Sequence, residues 1–268
     1  MVENPKILKL DHRVWWVIFI VLYVFLIAVM VGTLSTRVWV ELKPENLDVF
    51  KFKGSLIRVT DGLGEIPNIA NPLSPLDVEG QTYQKIYGGA CFVKDVLDKE
   101  TTQVFTWNLY HSWCKMFKNL WMGAGVFIVF EITAIICIVI IIALLVLFIF
   151  KKFYFITSFL ATGCMWASHI IGIIAWITIS QGQFNDDCSN LTDGEKAPKI
   201  CAKDGPKLGL FVLLFIPFIV IPFFCVTCLL RGRIIQEVRL ETKVDTNKDE
   251  DVNNVTQMKD HKNFEPKL

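Results

Sequence analysis

The chain has 268 residues, a formal net charge of +1 at pH 7 and 53% hydrophobic residues, 21 of them phenylalanine. The near-zero charge offers no basic field for nucleic acid, and so high an apolar content is foreign to an ordinary water-soluble domain. The apolar residues are also clustered, which is the compositional mark of a membrane protein.

Segment 1–13 carries Lys6, Lys9 and Arg13 and leads into a first apolar run, 14–34 (VWWVIFIVLYVFLIAVMVGTL). This run is too long and apolar for a secretory h-region and lacks a small-residue cleavage site, so it is expected to stay as a membrane span. Further apolar runs follow at 121–150, 153–180 and 208–230. Each reaches the roughly 20 residues that cross about 30 Å of hydrocarbon. Backbone groups in lipid must bond internally, so all four runs are predicted helices. Only Lys151 and Lys152 separate the second run from the third, which predicts an antiparallel hairpin. Together with Lys6, Lys9 and Arg13, and with Arg231, Arg233 and Arg239 after the fourth run, they place both termini and the 151–152 turn on the cytoplasmic side. A large loop, 35–120, and a small loop, 181–207, then share the outer face. The tail, 231–268, is polar and of mixed charge, a composition that stays disordered unless a partner holds it.

The large loop is too apolar for a linker. In STRVWVELK, Val38, Val40 and Leu42 alternate with Trp39 and Glu41, and VFKFKGSLIRV repeats the pattern through Phe50, Phe52 and Leu56. These alternations, with turn residues in DGLGEIPN, predict antiparallel strands. The later stretch KDVLDKETTQVFTWNLYHSWCKMF suits a further strand or a short helix. Ten basic and ten acidic residues balance between Arg37 and Lys118, so the loop is no one-signed funnel. The expected fold is a membrane all-α, left-handed four-helix transmembrane bundle with a small antiparallel β-sheet extracellular domain.

Of eight cysteines, Cys137, Cys164, Cys225 and Cys228 fall in or beside the apolar runs and read as small apolar residues. Cys228, near the cytoplasmic interface, also suits palmitoylation. Cys91 and Cys114 lie in the large loop, Cys188 and Cys201 in the small one. In an oxidising compartment four cysteines permit three pairings, and the local one, Cys91–Cys114 with Cys188–Cys201, closes each loop on itself. On a cytosolic or mitochondrial face all four would be free thiols. Asn190 opens an NLT glycosylation sequon on the same face, whereas the NVT at Asn254 falls on the cytoplasmic side.

Glu131 lies twenty residues before Lys151, about 30 Å along a helix, and is expected at the outer interface. His169 is deeper and is expected as a neutral histidine bonded to a neighbouring helix. The pairs Gly163 with Ala167 and Ser168 with Gly172 are small residues four apart, suited to close helix packing. Pro217 and Pro222 should loosen the last helix. No HExxH, P-loop, GxSxG or GxGxxG occurs and the four histidines are scattered, so no catalytic residue, metal or cofactor is assigned.

Four spans, both ends inside, a large strand-bearing first loop with Trp39 at its start, and Cys91 and Cys114 within it together resemble the claudin superfamily. That group holds claudins, peripheral myelin and epithelial membrane proteins, and stargazin-like receptor and calcium-channel gamma subunits. The chain departs from the pattern in having Gly88, Gly89 and Ala90 where the family has G-L-W, in the longer separation of the loop cysteines, and in a second-loop cysteine pair. The resemblance implies a non-enzymatic plasma-membrane protein whose ectodomain contacts other integral membrane proteins, as an auxiliary or assembly subunit of a complex or channel. Its partners would be the bilayer, another membrane protein or a second copy, and no nucleic acid. Phe92, Trp107 and Tyr110 are the candidate interaction patch, since aromatic residues dominate interface hot spots. Three other readings stay open: a claudin-like adhesion or paracellular barrier protein, a pore-forming channel subunit, and a structural subunit of a large complex in an internal organelle membrane.

Overall fold

The computed structural model describes residues 6–7, 10–42, 51–62, 64–66, 76–99, 104–150, 154–184 and 200–232. The chain is mostly helical. A short pair of strands, β1 (Lys6–Ile7) and β2 (Leu10–Asp11), precedes α1 (His12–Ser35). Next come β3 (Val40–Leu42), β4 (Phe52–Gly54), β5 (Val59–Gly62), β6 (Glu65–Ile66) and β7 (Leu76–Asp77). Helices α2 (Tyr83–Leu97), α3 (Val104–Ile149) and α4 (Phe155–Ser180) follow, then β8 (Cys201–Ala202) and a final helix, α5, over Asp204–Gly232. Four of these helices, α1, α3, α4 and α5, are long and apolar enough to cross a membrane.

The four helices bury residues at a shared spacing. On α1 the buried positions are Trp16, Phe19, Tyr23, Leu26, Met30 and Thr33; on α5 they include Gly209, Val212, Ile216, Ile219, Phe223, Val226 and Leu230. Steps of three and four alternate, as they do on α3 from Trp113 through Phe117, Leu120, Ala124, Phe127, Glu131 and Ala134 to Phe148. A period of 3.5 keeps one seam facing the partners only if the helices wind left-handedly around each other. The seam is filled: Trp16, Phe19, Tyr23, Phe148 and Phe223 pack together with ring centroids 5.2–6.3 Å apart. Pro217 and Pro222 leave α5 helical throughout and keep off its buried seam.

At one end of the bundle stands a four-stranded antiparallel sheet, in the order β5-β4-β3-β8. Its registers pair Val40 with Gly54 and Leu42 with Phe52, and pair Val40 with Ala202. Strand β8 comes from the small loop, so both loops build one sheet. Its outer side is covered by Gln183, whose backbone bonds Ile200 and Ala202 at 2.8 Å.

The large loop is not all strand. Its second half is helical, and α3 begins well before the apolar run does. Thr82 caps α2 by accepting from the Lys85 amide. Tyr83, Ile86 and Ala90 then turn one apolar stripe inward. Simple alternation also fails at β3, because Trp39, Val40, Glu41 and Leu42 are all buried. The sheet lies against the helices on one face, while Lys53 of β4 and Asp61 of β5 are exposed on the other. The tail beyond Gly232, the 151–152 turn and most of the small loop lie outside the described residues.

Candidate functional site

The junction between sheet and bundle is built around Trp39. Strand pairing holds its backbone from both sides: its amide donates to the Gly54 carbonyl at 2.6 Å, and its carbonyl accepts from the Lys203 amide at 2.9 Å. So fixed, the indole points into the helices and is fully buried. It packs against Phe127 of α3 and Trp176 of α4, with centroids 4.9 and 5.2 Å away, and its Nε1–H donates to the Thr33 carbonyl at the end of α1 at 3.1 Å. The first turn of α5 accommodates it through Gly205, where any side chain would overlap the indole ring. One side chain, immediately before β3, therefore touches all four long helices. Beside it, Lys203 Nζ binds Glu41 Oε2 at 3.0 Å and ties the end of β8 to β3.

One turn deeper lies a polar contact. Glu131 of α3 and His169 of α4 are both fully buried, with Glu131 Oε2 2.8 Å from His169 Nδ1. His169 Nε2 lies 3.0 Å from the Gly209 carbonyl of α5. Glu131 faces the bundle interior, where pairing offsets the cost of burying it. His169 bonds two neighbouring helices, not one.

The small-residue pairs divide. Ser168 and Gly172 face inward, and a side chain at Gly172 would press on Phe130 Cβ at 3.1 Å. Gly163 and Ala167 face outward, with nothing within 4 Å of the space beside Gly163. That pair does not pack between these helices.

Cys91 and Cys114 form a disulfide, with their Cα atoms 4.8 Å apart. It closes a loop with a sequence separation of 23, worth about 3 kcal/mol in the chain-entropy account. It fastens α2 antiparallel to the first turns of α3, as the stack of Tyr87 on Trp121 at 6.2 Å confirms further along. Cys201 is also disulfide-bonded, while Cys188 and Asn190 lie outside the described residues.

In the proposed patch, Phe92 on α2 is 40% exposed. Val96, one turn on, is 41% exposed and extends the same face. Tyr110 is half-buried, edge-on to Trp113 at 5.4 Å. Trp107 falls within α3, but its side chain lies outside the described residues. Phe92 and Tyr110 thus belong to one helical hairpin, α2 with the start of α3, and not to the sheet. Among the described residues no group of three or more His, Cys, Asp or Glu could hold a metal ion. No family model, curated protein or solved structure matches this chain.

Proposed function

We propose that the protein is a non-enzymatic, claudin-like four-span membrane protein that binds another integral membrane protein through its sheet-bearing domain, as an auxiliary or assembly subunit. The observation that carries this reading is the exposed apolar face of α2. Phe92 and Val96 follow Cys91, which the disulfide holds at Cys114 of α3, and run antiparallel to α3 away from the apolar run at 121–150. Large apolar side chains held rigidly in a polar setting are what a protein partner buries. The aromatic filling of the bundle favours this role over a pore. The disulfide suits the outer face of the plasma membrane, with both termini in the cytoplasm.

The test is Phe92→Asp combined with Val96→Asp, read by cross-linking and co-purification from native membranes. Loss of a hot spot worth about 2 kcal/mol weakens a partner roughly 30-fold. If the variant melts like the native protein and retains every partner, the interaction reading fails.

A further inference from the structure

The Glu131–His169 contact has a proton count fixed by geometry. The Gly209 carbonyl can only accept, so His169 Nε2 carries a hydrogen. Nδ1 and Oε2, 2.8 Å apart, must then hold one proton between them, because neither two lone pairs nor two protons can face each other at that distance. Whichever atom carries it, the pair is neutral as a unit. The other carboxyl oxygen, Oε1, is buried and has no partner among the described residues.

Among the described residues, the charged groups nearest the cover are Glu41 and Lys203 beside Trp39, and they are committed to each other at 3.0 Å, while the buried titratable group of α1 is Tyr23, ten residues before Thr33. Helix α1 presents Thr33, whose hydroxyl is committed to the Val29 carbonyl. On α3 the next titratable group is Cys137, six residues on, and on α4 it is the outward-facing Cys164. On α5, Asp204 and Lys207 are exposed at the first turn. Losing the proton leaves a buried carboxylate, and gaining a second leaves a buried imidazolium. Either charge is relieved by letting water in between α3, α4 and α5. The cover over that spot is Trp39, which rests on Phe127, one turn from Glu131, and on Gly205, one turn from Gly209.

We propose that Glu131 and His169 form a single-proton binding site inside the bundle, and that its occupancy governs how firmly the sheet domain is seated through Trp39. The ligand is a proton, and the state with one bound is the closed state. This goes beyond the interaction role and does not depend on the α2 face.

The experiment is hydrogen exchange of the backbone amides at 39–42 and 201–202 in the full chain in lipid nanodiscs, across acidic to alkaline pH and corrected for intrinsic exchange. Protection should peak at an intermediate pH and fall on both sides, approaching tenfold per pH unit for one proton exchanged. Glu131→Gln, whose amide can donate to Nδ1 but cannot titrate, should keep the acid fall and the protection at intermediate pH and lose the alkaline fall, leaving a plateau. The high-frequency C=O infrared band of a carboxylic acid shielded from water, distinct from that of the exposed Asp and Glu side chains, should change on one side of the peak only: the alkaline side if the proton rests on Oε2, the acid side if on Nδ1. A flat protection profile in the native protein overturns the proposal, as does an alkaline fall that survives in Glu131→Gln. Should that variant not fold, an infrared band that stays constant across the range overturns it alone.

Discussion

Replacing Trp39 by alanine tests the central packing claim. The indole is fully buried, and its loss should cost about 3–5 kcal/mol, the range for truncating a large buried aromatic. The edge contacts to Phe127 and Trp176 lie within that figure. Trp39→Phe keeps much of the ring and loses the Nε1–H bond to the Thr33 carbonyl, which also receives the Thr36 amide at 3.4 Å. It should therefore cost only about 1 kcal/mol beyond the lost ring volume. At 2–4 °C per kcal/mol, Trp39→Ala should lower the melting temperature by roughly 6–20 °C. Thermal unfolding in detergent, followed by size-exclusion recovery, measures this. Trp121→Ala is the control, since Trp121 is 40% exposed and, among the described residues, stacks with Tyr87 alone. If Trp39→Ala melts no lower than Trp121→Ala, the indole does not join sheet to bundle and the reasoning is wrong.

Gly172→Leu should destabilise by about 1–3 kcal/mol through overpacking against Phe127 and Phe130, while Gly163→Leu, on an open surface, should leave melting unchanged; equal effects would remove the distinction between the two pairs. Tyr83 donates its hydroxyl to the Ser55 carbonyl at 2.6 Å, and burial raises its pKa well above the usual tyrosine value. A raised folded pKa gives stability that is whole below the unfolded pKa, about 10, and lost as pH climbs past it. Tyr83→Phe should cost about 1 kcal/mol at neutral pH and flatten the alkaline decline in sheet-domain stability; an unchanged decline would show that Tyr83 ionises freely.

The spans were legible because hydropathy needs no tertiary information: twenty apolar residues in a row have few other fates. Strands β3 to β5 announced themselves by alternation, yet the inward turn of Trp39 did not, since alternation reports two faces and not what lies beneath either. Helix α2 was hidden by Gly88 and Gly89, which weaken helix propensity near its centre. Thr82 followed by Tyr83, Ile86 and Ala90 still carried the cap and the stripe. Strand β8 is two residues long and pairs with a strand far away in sequence, so no local pattern encodes it. The Glu131–His169 contact was within reach: folding the chain about Lys151 and Lys152 sets Glu131 opposite Gly172, one turn from His169. What local reading lacked was the helix rotation, which packing decides.

The origin of β8 also orders the life of the nascent chain. Trp39 is synthesised early, but Trp176 and Gly205, which pack against it, and Ala202, which pairs with the neighbouring Val40, follow only after α2 and α3. Until α5 is in the bilayer the sheet lacks its fourth strand and the indole lacks its socket, so the first loop must wait half-assembled while the later helices are inserted. A chain ending before β8 lacks the strand that pairs with Val40 and Glu41 and the Gly205 socket of the indole, so it leaves an open strand edge and a partly uncovered tryptophan.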